Sequence, residues 1–125
     1  MNSLSHPALA PITDLLAQDG DFDEDFVRPT DRAVEAATDL LVAAWNSRLG
    51  NLPRYCATAL GDGTLRLHFY HETKGLRVVF RCDETLADYI YHRHGDERGT
   101  DIDTSPESFV RWFEWLEIEG TIGYE

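Results

Sequence analysis

Between residues 54 and 94 apolar side chains recur at every second position, and this alternation constrains the fold more than any other feature of the chain. In "TLRLHFY" Leu65, Leu67 and Phe69 point one way, while Arg66, His68 and Tyr70 point the other. In "LRVVFR" Leu76, Val78 and Phe80 share one side, with Arg77, Val79 and Arg81 opposite. A period of two belongs to strands, whose successive side chains alternate between faces. "RYCATAL" comes before this pair and "ADYIYHRH" after it. The connections Gly61-Asp62-Gly63, "HETKG" and "CDET" are short and rich in turn formers. Short loops join antiparallel neighbours, so the segment predicts a three- to four-stranded meander. One face of that sheet is apolar and needs a cover.

Two amphipathic helices supply it. Thr30 is a good N-cap, and Val34, Ala37, Leu41, Ala44 and Trp45 then recur at helical spacing, predicting a helix over residues 31–48. Gly50 closes it and Pro53 prevents resumption. "TSPESFVRWFEWLEIEG" predicts the second helix, over residues 106–117, with the stripe Phe109, Trp112, Phe113 and Leu116. Thr104 and Glu107 suit a capping box; Ser105 is an alternative cap that puts Pro106 at the first helical position. Leu9, Ile12, Leu15 and Leu16 predict a short, peripheral N-terminal helix, ending at Asp19-Gly20. The fold expected is therefore α+β, one domain over residues 30–125, preceded by a helix and acidic segment over residues 1–29.

The chain of 125 residues is long enough to bury about two-thirds of its unfolded surface. Eleven basic against twenty-three acidic side chains give a net charge of −12, which repels membranes and free nucleic acid. The excess is uneven. Residues 14–31 hold seven acids and one base, and residues 96–125 hold nine acids and two bases. Residues 48–81 hold six bases and two acids, so two acidic ends flank a basic middle. No stretch approaches the roughly 20 apolar residues that span a membrane. The N-terminus lacks the basic and apolar regions of a secretory signal, and with only Cys56 and Cys82 present a reduced, cytoplasmic setting is expected.

The acidic segment "DGDFDEDF" packs Asp19, Asp21, Asp23, Glu24 and Asp25 into seven positions. It fails as an EF-hand: Glu24 stands where glycine makes the sharp turn, and Thr30 where the bidentate glutamate belongs. It suits contact with a basic partner surface, or a solvated linker. His92 and His94 at i, i+2 share a strand face, and His68 lies on an earlier strand; these three are the candidate metal ligands. Neither Cys-x-x-Cys nor His-Glu-x-x-His occurs, and no dedicated metal site or cofactor is expected. Arg66, Arg77 and Arg81, with His68 and Tyr70 between, make a basic sheet face. Such a face can bind single strands, but the RNP-type aromatic motif is absent and the overall charge is wrong, so nucleic acid is not the expected partner. Trp115 falls beside the stripe of its helix and is a candidate contact residue. No Gly-x-Ser-x-Gly, Walker loop or dinucleotide fingerprint occurs, and the acids of "GDERGTDID" read as an Asp-rich turn.

"GDGTLRLHFY", "YIYHRH" and "SPESFVRWFEWL" together resemble small uncharacterised bacterial α+β proteins over about residues 30–117. That resemblance implies an accessory or antitoxin-like role. The function expected is a non-enzymatic module that binds and modulates a larger protein partner. Its contacts would be Asp19, Asp21, Asp23, Glu24, Asp25, Arg66, Arg77, Arg81 and Trp115. The alternative is a small metal-dependent or acid–base enzyme using His68, His92 and His94.

Overall fold

The computed structural model describes residues 6–17, 28–71 and 73–117. A single 3-10 turn, Pro7–Leu9, leads into α1 (Ala10–Ala17). Next come α2 (Asp31–Ser47), five strands, and α3 (Pro106–Glu117). The strands are β1 (Tyr55–Ala59), β2 (Leu65–His71), β3 (Lys74–Phe80), β4 (Tyr89–His94) and β5 (Glu97–Asp101). They pair antiparallel in sequence order, a plain meander among the described residues. The α+β class and the antiparallel sheet agree with the sequence reading.

Two details differ. The sheet has a fifth strand where an Asp-rich turn was expected. β5 reads Glu-Arg-Gly-Thr-Asp and carries no apolar alternation. It joins the sheet by backbone pairing with β4, His94 opposite Glu97, after a tight turn in which Gly95 takes φ +65°. Glycine tolerates that conformation. A short polar strand at a sheet edge also resists pairing with other chains, which is why its pattern looks like loop.

The N-terminal helix is the second difference: it is not peripheral. Leu9, Ile12 and Leu15 lie in the same apolar cluster as the sheet and the other helices. On β1 the covered face offers only Ala57 and Ala59 beyond Tyr55, so room is left that larger strand residues would fill. The Tyr55 hydroxyl donates to the Ala8 carbonyl at 2.7 Å and fixes the turn in place.

The two main helices start where the capping residues direct. Thr30 Oγ1 accepts the Ala33 amide, and its hydroxyl donates to the Cys82 carbonyl at 3.1 Å, tying the start of α2 to the end of β3. Ser105, rather than Thr104, caps α3: its Oγ accepts the Ser108 amide at 3.2 Å, and Pro106 is the first helical residue. Alanines at 33, 37 and 44 are fully buried and let α2 approach its neighbours closely.

The core lies between these helices and one face of the sheet. Phe69 packs on Phe113 and Phe109 at ring distances of 4.7 and 5.8 Å, and Phe109 and Phe113 stand 4.2 Å apart. Leu65, Leu67, Leu76, Val78 and Ile90 surround them, all without exposed surface. Each such side chain contributes about 1.5–3 kcal/mol by leaving water. Arg32 clamps the β3–β4 loop with a bidentate pair to Asp88 at 2.7 and 2.8 Å, and Asp88 also accepts the Arg81 amide. No described helix is long and apolar enough to cross a membrane.

Candidate binding face

The strands' alternation gives the sheet a second face, which no described helix covers. Pairing registers arrange it in three rows. The first runs Thr58, Arg66, Val79, Tyr89 from β1 to β4. The second runs Cys56, His68, Arg77, Tyr91, Thr100 across all five strands, and the third runs Tyr70, Gly75, Arg93, Arg98 from β2 to β5. Arg66, Arg77 and Arg93 therefore descend diagonally across β2, β3 and β4, with Arg98 directly beside Arg93.

No strand residue on this face is acidic. Ion pairs among the described residues involve Arg32 with Asp88 and Arg48 with Glu117, and none of Arg66, Arg77, Arg93 and Arg98 has a carboxylate partner there. The Arg66 Nε–H is buried with no hydrogen-bond partner among those residues. Arg93 Nε reaches only the Gly95 carbonyl, at 3.3 Å. Arg93 and Arg98 are directly opposed like charges, an arrangement that costs stability. In a chain with twice as many acids as bases, a face so free of carboxylates is not a consequence of average composition.

Aromatic groups flank the diagonal. Tyr70, 59% exposed, packs on His68 with ring centroids 4.0 Å apart and planes tilted by 37°, and its hydroxyl stands 2.8 Å from His68 Nδ1. The Arg77 guanidinium lies 5.7 Å from the Tyr91 ring. Partial burial and the charges of Arg77 and Arg66 hold the His68 pKa below its usual value, so this imidazole is neutral at pH 7. Two hollows open here, one of about 420 Å³ over Gly75 and one of about 140 Å³ between Arg66, Arg77 and Tyr89. Guanidinium forks present several fixed donors to carboxylates or phosphates, and tyrosines add flat contact area at low entropic cost.

The histidine set does not assemble. His68 is on the open face, while His92 and His94 are on the helix-covered face, because His92 pairs with Leu76 and His94 with Lys74. The sheet itself stands between them. Among the described residues, no three His, Cys, Asp or Glu side chains converge as a metal site would require. His92 instead stacks flat on Trp112 at 4.1 Å and meets Trp115 edge-on at 5.8 Å. Its ring covers Gly99, where a Cβ would come within 2.9 Å of Nε2. Asp101 holds the other end of this cluster, accepting from Trp112 Nε1 at 3.0 Å and from Ser108 Oγ at 3.3 Å. The Asp103 amide and these donors keep the Asp101 pKa low, and burial keeps that of His92 low against the pull of Asp101.

Trp115 is half-buried, with the Lys74 ammonium 5.0 Å from its ring and donating to its carbonyl at 2.7 Å. The aromatic excess of α3 is thus engaged by His92 and Lys74. Arg81 lies beyond the diagonal at the end of β3, its charge acting on Asp62 and its amide bound by Asp88. Cys56 and Cys82 are free thiols. Asp19, Asp21, Asp23, Glu24 and Asp25 fall outside the described residues. Sequence reasoning found Arg66, Arg77, His68 and Tyr70 but missed Gly75, Tyr89, Tyr91, Arg93 and Arg98. The signal was available: extending the period of two through "YIYHRH" puts Tyr89, Tyr91 and Arg93 opposite Ile90, His92 and His94.

No protein-family model, curated protein or solved structure matches this chain.

Proposed function

We propose that this chain is a non-catalytic interaction module that binds and modulates a larger protein, in the manner of an accessory or antitoxin-like component. Its contact surface is the open sheet face, and its partner presents an acidic patch. One observation carries the reading: four arginines share a sheet face on which, among the described residues, no helix lies and no carboxylate pairs with them. Arginine and tyrosine are the residues that dominate binding energy at protein interfaces. The face is positive while the rest of the molecule is negative, so an acidic patch is steered to one side only. This moves the emphasis from a basic partner, suggested by the acidic segment, to an acidic one. The enzyme alternative loses its geometry, since the sheet separates His68 from His92 and His94.

Fluorescent polyglutamate is a suitable probe, because the protein's net charge opposes casual binding to it. Saturable binding that weakens with salt and is lost in Arg66→Glu/Arg77→Glu is the expected result. Equal binding by wild type and double variant, or none by either, refutes the reading.

A further inference from the structure

Gly75 is an oddity within the open face. It sits inside β3 with unbroken pairing on both sides, opposite Tyr70 and Arg93, so it marks no bulge. Its φ is not in the left-handed region, and an added Cβ would meet only His68 Nε2, at 3.8 Å. Neither backbone nor crowding requires glycine here, and glycine inside a strand weakens it. Glycine in a strand is also found where a ligand or another backbone approaches closely.

The missing side chain leaves the hollow of about 420 Å³, within the size range of small-ligand sites. The tilted His68–Tyr70 pair lines one side, from β2, and Tyr91 with Arg93 the other, from β4. β2 and β4 stand two strand spacings apart, roughly 9–10 Å, which admits one planar ring between facing walls. Arg77 and Arg93 bring two guanidiniums to the same hollow. Flat walls suit a π-system, and paired guanidiniums suit a phosphate.

We propose that the Gly75 slot binds a mononucleotide, its base lying between Tyr70 and the Arg93 side and its phosphate held by Arg77 and Arg93. This goes beyond the protein-contact reading. An acidic side chain would use the guanidiniums but would need neither the slot nor its aromatic walls. One nucleotide also suits a molecule whose remaining surface repels a long polyanion.

Calorimetric titration of the full chain with AMP, UMP and inorganic phosphate is the test. AMP or UMP should bind at one site, at least about tenfold tighter than phosphate. Gly75→Leu, which plugs the slot, should weaken binding about tenfold or more, while Gly75→Ala should have little effect. Melting curves of both variants check that the fold is intact. The proposal is overturned if no saturable AMP or UMP binding occurs at millimolar concentration, if phosphate binds as tightly, or if folded Gly75→Leu binds unchanged. A single-stranded oligoadenylate of roughly eight nucleotides binding far more tightly than AMP would also overturn it, marking the face as a strand track. Polyglutamate binding by Gly75→Leu reads the protein-contact proposal separately, so the two can fail independently.

Discussion

Leu67 and His68 are neighbours in β2, and they stand on opposite sides of the sheet. On the covered side Leu67 has no exposed surface, and every residue around it is held by packing against α2 and α3. On the open side His68 is flanked by Arg66 and Arg77, whose charges have no carboxylate partner among the described residues, and by Tyr70, whose hydroxyl it meets at 2.8 Å. Even the polar residues differ. His92, Asp101 and Lys74 on the covered face are all tied to α3, whereas Arg66, Arg77, Arg93 and Arg98 have no acidic partner among the described residues. Alternation makes both faces at once; what lies against each decides which residues hold the structure and which remain available.

The comparison breaks most visibly at Leu67. Leu67→Asp puts a carboxylate into the centre of the covered face and should cost more than about 4 kcal/mol, enough to unfold the domain, as circular dichroism would report. Gly99→Val is milder: its side chain pushes on a His92 ring that Trp112 prevents from moving freely, at a cost of about 1–3 kcal/mol in urea unfolding.

Acid sharpens the contrast further. His92 and His68 both have folded pKa values lowered by burial, so protonation favours the unfolded chain. Their contribution is fully present above the ordinary histidine value of about 6.5 and is lost as pH falls through the lower folded values. Melting temperature should therefore drop on acidification from pH 7 to 5, and His68→Gln/His92→Gln should flatten that part of the profile. Arg98→Gln is the smallest change. It relieves the like-charge contact with Arg93 and should leave stability unchanged or raise it by up to about 0.5 kcal/mol.

The period of two made the covered face of β2 and β3 legible, because Leu65, Leu67, Phe69, Leu76, Val78 and Phe80 obey it without exception. Helix starts were legible through Thr30 and, for α3, through the alternative cap Ser105 and not the Thr104–Glu107 box; both hydroxyls accept backbone amides. β5 was not, since an edge strand held by backbone pairing needs no apolar side chains. Packing of α1 was not either, because the room it fills depends on how small Ala57 and Ala59 are, a tertiary matter. The open face was half legible. Arg66 and Arg77 showed in β2 and β3, but the diagonal appears only when register aligns them with Arg93 and Arg98. The histidine grouping failed for a simple reason: His68 and His92 fall on opposite sides of the same sheet once β4 is placed.

The central claim is that the open-face guanidiniums serve contact and not folding. Urea unfolding of Arg66→Gln/Arg77→Gln/Arg93→Gln beside the wild type tests it most directly. Stability within about 1 kcal/mol of wild type, or higher, is the predicted result. A larger loss would mean that these side chains hold the sheet together, and the account of this face would be wrong.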